Sequence, residues 1–340
     1  MNSNVTVIIP AHNRPERLRR LLDYYSRTSI QIIVPDSSHE IFKDASSYPD
    51  ITYLHQPDMH FLLKINAILP LIKTPYVFYC ADDDFTVPEA VKEMTDFLDA
   101  HPSYHTAQGH YLTFEPHRHK IEFTPRYIRN FDKVITADNG TSRLAQYKDY
   151  YASNLYGVIR TATFKQMYEA CLTPKGELRF KNLFLAEEYF NLFSLIHGDY
   201  ATLPFFYSAR ERIPGSATST TVPLTIVSSA KEYEEEYNSF IDVLANELAV
   251  VDSLPFATAR AIILQTYQMP KTTDSISFKR KVLGLVSKYR ATGWLSELLV
   301  RRYKQKGLIA VKGMQSYPCT FMTKEKQDII DCIVNHTSMS

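Results

Sequence analysis

Four short apolar runs stand in the first part of the chain: Thr6-Val7-Ile8-Ile9, Gln31-Ile32-Ile33-Val34, Ile51-Thr52-Tyr53-Leu54 and Tyr76-Val77-Phe78-Tyr79-Cys80. Helical segments are interleaved with them. β-Branched and aromatic runs that alternate with helices predict a parallel, three-layer α/β sheet, whose ligand crevice lies at the carboxyl ends of its strands. Asn13, Asp36 and the acidic triplet Asp82-Asp83-Asp84 all fall at those ends.

The rest of the pattern is coarser. Leu18, Leu21, Leu22 and Tyr25 recur at helical spacing with Arg17, Arg19 and Arg20 off that face, which predicts an amphipathic helix. Asn13 is expected to cap it, with Glu16 completing the capping box. A helix is expected from about Phe61 to Ile72, and Pro88 opens another. Two extended runs between Tyr104 and Phe123 flank Glu115–Lys120 and read as a hairpin, with His117 and His119 exposed at its tip. A strand over Leu155–Arg160 and a helix over Leu185–His197 follow. After Pro223 the spacing is helical, first acidic (Glu232 to Glu236), then basic from Lys279 to Lys306. The expected division is a catalytic domain over residues 1–222 and a helical C-terminal region over 223–340.

Composition excludes several classes. The chain has 340 residues, 45% hydrophobic and 22% charged, enough apolar material for a sizeable core. Lys and Arg number 38 against 37 Asp and Glu, so the surface as a whole is not built for nucleic-acid phosphates. The four cysteines form no Cys-x-x-Cys or Cys/His cluster, which argues against a disulfide framework or a zinc site and fits a reducing compartment. The start runs directly into a strand, leaving no room for a signal peptide, and no apolar run reaches the roughly 18 residues of a membrane span. A cytoplasmic location is expected. With ten glycines, there is no Gly-x-Gly-x-x-Gly and no P-loop, so the usual backbone cradles of dinucleotide enzymes and P-loop NTPases are missing.

The acidic triplet carries chemistry. Three consecutive carboxylates at the end of an apolar strand repel one another unless a cation sits among them. Asp82 and Asp84, two apart, would point to one side of an extended chain and offer hard oxygens suited to Mg2+ or Mn2+. An acidic turn capping the helix at Pro88 is the alternative.

The segment Val5-Thr-Val-Ile-Ile-Pro-Ala-His-Asn-Arg-Pro-Glu-Arg-Leu18 resembles the opening of family-2-type, inverting glycosyltransferases with the GT-A fold. Four further segments agree in order: Ile32-Ile-Val-Pro-Asp-Ser-Ser38, Lys64-Ile-Asn-Ala67, Thr74-Pro-Tyr-Val-Phe-Tyr-Cys-Ala-Asp-Asp-Asp-Phe85, and Ala186-Glu-Glu-Tyr-Phe-Asn-Leu-Phe-Ser-Leu-Ile-His-Gly-Asp-Tyr200. The similarity spans roughly residues 5–220 and is of the bacterial surface-glycan type.

The resemblance implies transfer of a sugar from a nucleotide-diphosphate donor, a UDP-sugar, to a hydroxyl of a glycan or lipid-linked acceptor, with inversion and without processivity. Pro10, Ala11 and Asn13 would form the loop under base and ribose, Asp36 would accept a hydrogen bond from uracil or ribose, and Lys64 would offset phosphate charge. Asp84, assisted by Asp82, would hold Mn2+ or Mg2+, with Asp82 and Asp83 also against the donor. The division of labour among the three acids stays open. Glu188 is the first choice of general base and Glu187 the second. Arg210 and Arg212 lie where similar enzymes place a loop over the phosphates. Pro35 and Ser37 depart from the pattern, and no Gln-x-x-Arg-Trp segment occurs. A sugar nucleotidyltransferase, whose glycine-rich phosphate loop is missing after the first strand, and an inactive nucleotide-sugar-binding scaffold are the competing readings.

From Lys279 to Lys306, Lys279, Arg280, Lys281, Lys288, Arg290, Arg301, Arg302, Lys304 and Lys306 face the single acid Glu297, with Val282, Leu285, Val286, Trp294, Leu295 and Leu298 as apolar surface. Such a stretch can rest on an anionic membrane, here the inner face of the cytoplasmic membrane, or pack as a bundle helix with a solvated basic face.

Overall fold

The computed structural model describes residues 4–117, 120–126, 133–147, 154–212, 221–268 and 324–337. Its centre is one sheet of ten strands. β1 (Val5–Ile8) lies between β2 (Gln31–Asp36) and β4 (Tyr76–Tyr79), and β3 (Ile51–His55) lies outside β2, all parallel. These are the four runs of β-branched and aromatic residues seen in the sequence.

Beyond β4 the sheet becomes mixed. β9 (Val158–Arg160) pairs antiparallel with β4 and with β6 (Tyr104–His117), and β6 runs parallel to β10 (Asp199–Glu211). Three more strands join antiparallel: β5 (Phe85–Thr86) and β8 (Val134–Ile135) on β10, and β7 (Lys120–Arg126) on β6. The hairpin is therefore β6–β7, with His117 paired to Lys120; residues 118 and 119 lie outside the described residues. The short β9 is preceded by a turn at residues 154–157 rather than by strand.

Helices cover both faces. α1 (Pro15–Tyr25) and α3 (Pro88–Ala100) bury Leu18, Leu21, Leu22, Tyr25, Val91, Met94 and Leu98 in one apolar cluster. α2 (Phe61–Ile68), α4 (Gly140–Tyr147), α5 (Thr161–Ala170) and α6 (Leu183–His197) contribute to the cluster on the other face. Alternation along the strands feeds both: Ile8 and Ile33 point into one cluster, Val7 and Val34 into the other. The predicted three layers are present.

After Pro223 come a short α7 (Leu224–Val227), α8 (Glu234–Val251) and α9 (Phe256–Gln268). α8 packs on α6 and inserts Phe240, Leu244 and Leu248 into the same cluster. The final helix, α10 (Lys324–Thr337), returns to α1, with Ile329 and Ile333 buried, Cys332 Sγ 3.4 Å from the Arg20 carbonyl and His336 2.9 Å from Asp23. The basic stretch 279–306 lies outside the described residues. Among the described residues no helix is long and apolar enough to cross a membrane, and Cys80, Cys171 and Cys332 are free thiols.

Candidate active site

The carboxyl ends of β1, β2 and β4 converge as the crevice rule requires. Pairing continues past the strands, with Ala11 N donating to Pro35 O (3.1 Å) and Ser37 N to Ala11 O (3.0 Å). Asn13 adopts a left-handed backbone (φ 53°). Its N–H donates to Ser38 Oγ at 2.7 Å, and its Oδ1 accepts from His39 N at 3.1 Å. This corrects the expected cap: α1 starts on Pro15 with no side-chain cap, because Asn13 is spent on tying the first loop to the second.

The Asp36 carboxylate is buried and engaged by its own surroundings, accepting from Ser38 N (2.8 Å), Ser38 Oγ (2.5 Å) and the Tyr53 hydroxyl (2.7 Å). Lys64 is 3% exposed, and its Nζ reaches Ala11 O at 2.8 Å and Ser37 Oγ at 3.0 Å. Burial pushes this ammonium down to about 8, against the opposing charges of Asp82 and Asp36. Both residues therefore brace the loop of Pro10, Ala11 and Asn13 from beneath.

The acidic triplet sits beside this loop in a turn closed by Asp84 N donating to Ala81 O (2.9 Å), not on extended chain. Asp82 consequently faces the first loop, accepting from Arg14 (3.2 Å) and from His12 N (3.4 Å). Asp83 takes the same guanidinium at 2.7 Å. Asp84 turns toward β10, accepting from Arg210 Nε (3.1 Å) and Glu211 N (3.0 Å). Beside it, Glu211 receives Arg17 at 3.0 Å and Arg20 at 2.7 Å. Burial would raise the Glu211 carboxyl, but these two arginines outweigh it and hold it below its ordinary value.

Asp82 and Asp84 are each 4% exposed. Desolvation and the neighbouring Asp83 push Asp82 up to about 7 in spite of Arg14, and Asp84 is raised by the same causes in spite of Arg210. The tip thus gathers three carboxylates, Asp82, Asp83 and Asp84, against the guanidiniums of Arg14 and Arg210. Carboxylate oxygens are the hard donors of a divalent cation, so Asp82 and Asp84 fit Mg2+ or Mn2+ in donor type, while the turn directs Asp82 to Arg14 and Asp84 to Arg210. Among the described residues no three His, Cys, Asp or Glu are gathered as a ready cage.

Helix α6 is tied to the turn that holds Tyr156, where Asn154 N donates to Asn191 Oδ1 at 2.9 Å. Its N-terminus is capped by Asn182, which accepts from Phe184 N (2.9 Å) and Leu185 N (3.2 Å). Its C-terminus is closed by the buried Arg143, which donates to the carbonyls of Leu195 (2.6 Å) and Ile196 (2.7 Å). On this helix Glu188 is 3% exposed and turned into the interior, in the electrostatic field of Tyr147 and Tyr267. Glu187 is half-buried and shares with Asp83 and Asp84 the surroundings of Tyr156, whose hydroxyl is raised to about 12, chiefly by burial. Tyr156 also carries the Arg210 guanidinium over its ring at 4.3 Å.

Most sequence-chosen residues therefore gather: the Pro10–Asn13 loop, Asp36 and Lys64 beneath it, Asp82–Asp84 and Arg210, with Glu187 in the electrostatic surroundings of Tyr156. Arg212 does not join them; it is exposed and ion-paired with Glu115 on β6. Arg14 and Tyr156 were not legible. Each is a single residue whose role depends on partners about seventy or fifty positions away, and neither stands in a spacing pattern.

Comparison with known proteins agrees with this geometry. No curated protein matches the chain in sequence. Among solved structures, S. aureus TarS 1-349 in complex with UDP-GlcNAc is similar with a TM-score of 0.53 at 16% identity, over 77% of this chain and 71% of that one. S. aureus TarS 1-349 gives 0.50 at 15% identity, over 77% and 70%. The longer S. aureus TarS gives 0.51 at 16% identity, over 81% of this chain and 45% of that one. At such identities the likeness is one of fold. The sequence profile of glycosyl transferase family 2 matches residues 6–153, which hold β1 through β8 and the whole acidic tip. Over residues 6–153 the chain is thus similar to glycosyl transferase family 2, and that stretch is set in a GT-A-like sheet.

Proposed function

We propose that this chain moves a sugar from a UDP-type nucleotide-sugar to an acceptor hydroxyl in a single, inverting displacement, with residues 1–222 as the catalytic unit. The observation that carries this reading is that two acidic centres share one neighbourhood: Asp83–Asp84 and Glu187 all act electrostatically on the Tyr156 hydroxyl, over whose ring the Asp84 partner Arg210 lies.

In this reading the loop Pro10–Asn13, braced by Lys64 and Asp36, receives the base and ribose. Asp82 and Asp84 would hold Mg2+ or Mn2+, which when bound would neutralise charge on the departing diphosphate. Arg210 contributes a guanidinium whose planar fork suits phosphate oxygens. Glu187 accepts the acceptor hydroxyl proton as that oxygen bonds to the anomeric carbon. The bond from that carbon to the donor phosphate breaks, and its electron pair leaves on the nucleoside diphosphate. Glu187 is preferred over Glu188 because it is the more open of the pair and shares with Asp83 and Asp84 the surroundings of Tyr156. The buried Glu188 shapes the interior of α6.

The acceptor is taken to be a hydroxyl of a bacterial surface glycan or its lipid-linked precursor. The basic segment 279–306 would provide contact with an anionic membrane; flotation with anionic vesicles tests this, and absence of binding refutes it. The central test is a donor screen that reads released nucleotide, together with calorimetry of UDP with and without Mn2+. Turnover that fails in Asp84→Asn and Glu187→Gln supports the assignment. Metal-independent binding without turnover would make the chain a nucleotide-sugar-binding scaffold instead.

A further inference from the structure

We propose that Tyr156 is a positioning residue for donor binding: its ring face holds the Arg210 guanidinium beside Asp84, and its turn fastens that guanidinium to the helix carrying Glu187. The inference rests on the reading of the acidic tip as the diphosphate site.

Three observations converge on this residue. The first is the stack itself. Arg210 Cζ lies 4.3 Å from the Tyr156 ring centroid while its Nε donates to Asp84 at 3.1 Å, so the guanidinium is held from its face and from its edge. A lone arginine side chain loses rotamer freedom on binding, and a cation over an aromatic face is held by the ring's negative face, so such a platform can remove much of the ordering cost of binding.

The second is how the platform is fixed. Within the turn at 154–157, Asn154 N donates to Asn191 Oδ1 (2.9 Å) and Asn154 Nδ2 to Ser194 Oγ (2.7 Å), both on α6. From the other side the Tyr207 hydroxyl of β10 donates to the Tyr156 carbonyl at 2.5 Å. Gly157 permits the close approach to β6, since a Cβ there would stand 2.9 Å from the Ala107 carbonyl. The third is position. Tyr156 is half-buried and touches both apolar clusters, at the seam between them. A tyrosine serving only to fill the core would not lend its face to a charged side chain that reaches the acidic tip.

The test replaces Tyr156 with phenylalanine and then with mono-, di- and trifluorinated phenylalanine, which keep the shape of the ring while draining charge from its face. The full chain is used, and UDP affinity is read by calorimetry with Mn2+ present, alongside the donor KM and kcat. The expected result is a stepwise weakening across the series, totalling about 3- to 30-fold in UDP dissociation constant and donor KM. The kcat at saturating donor should change little, and the trend should vanish in an Arg210→Gln background. Equal UDP affinity across the fluorinated series overturns the proposal. If the unmodified protein binds no UDP, the proposed function itself fails and takes this inference with it, an outcome distinct from a flat series on a binding-competent chain.

Discussion

Arg210 and Asp84 lie 126 positions apart in sequence, yet the arginine Nε stands 3.1 Å from the aspartate Oδ2 while the next residue's N–H, from Glu211, holds the other oxygen at 3.0 Å. Strand β10 therefore delivers both a cation and a backbone donor to the last acid of the triplet. Asp84→Asn keeps the shape and removes the charge. Turnover measured as released nucleotide should fall roughly 10²–10³-fold, the size seen when a group that stabilises transition-state charge is lost. Activity within threefold of the parent would remove Asp84 from the site.

The pair on α6 separates by role. Glu187→Gln should lower kcat by roughly 10²–10⁴-fold with donor affinity retained, as expected for loss of a general base. Glu188→Gln should instead show itself in the thermal unfolding midpoint, because Glu188 is turned into the interior. A loss of kcat in the Glu188 variant alone would exchange the two roles.

Lys64 gives a pH signature. Its folded-state pKa is depressed to about 8, so its contribution to stability is fully present above its ordinary value of 10.5 and is lost as pH falls through 8. The full span corresponds to about 3 kcal/mol. Urea unfolding of the parent and of Lys64→Met should diverge accordingly, the parent losing stability relative to the variant between pH 10 and pH 7. Parallel pH profiles would show that the ammonium is not desolvated.

Arg143 bears on the fold rather than the chemistry. Its guanidinium donates to three carbonyls, those of Ala137, Leu195 and Ile196, the last two at the end of α6. Arg143→Met strands them, at a cost of roughly 2–4 kcal/mol. Chemical denaturation should read a reduced midpoint with the slope unchanged.

Much of this architecture could be read from local pattern. The runs 6–9, 31–34, 51–54 and 76–80 became parallel strands because β-branched and aromatic residues packed on both faces admit little else, and their polar endings gathered where a parallel sheet puts its crevice. The misreadings were of tertiary origin. Asn13 looks like a cap, but its left-handed backbone and its bonds to Ser38 and His39 divert it. The inward turn of Lys64, drawn by the Ala11 carbonyl and the Ser37 hydroxyl, has no signal in the local sequence. Asp82 and Asp84 share one side only on an extended chain, and the turn at Ala81 parts them toward Arg14 and Arg210. Arg14, Arg143 and Tyr156 act through distant partners, which no spacing rule encodes.

The fourteen-residue helix α10 rests on α1, and α1 in turn supplies Arg17 and Arg20 to Glu211, the neighbour of Arg210. A mechanical linkage is thereby laid from the far end of the polypeptide to the strand that grips the cleft's acid. Losing the hold of α10 would uncover part of α1, the helix whose two arginines pin Glu211.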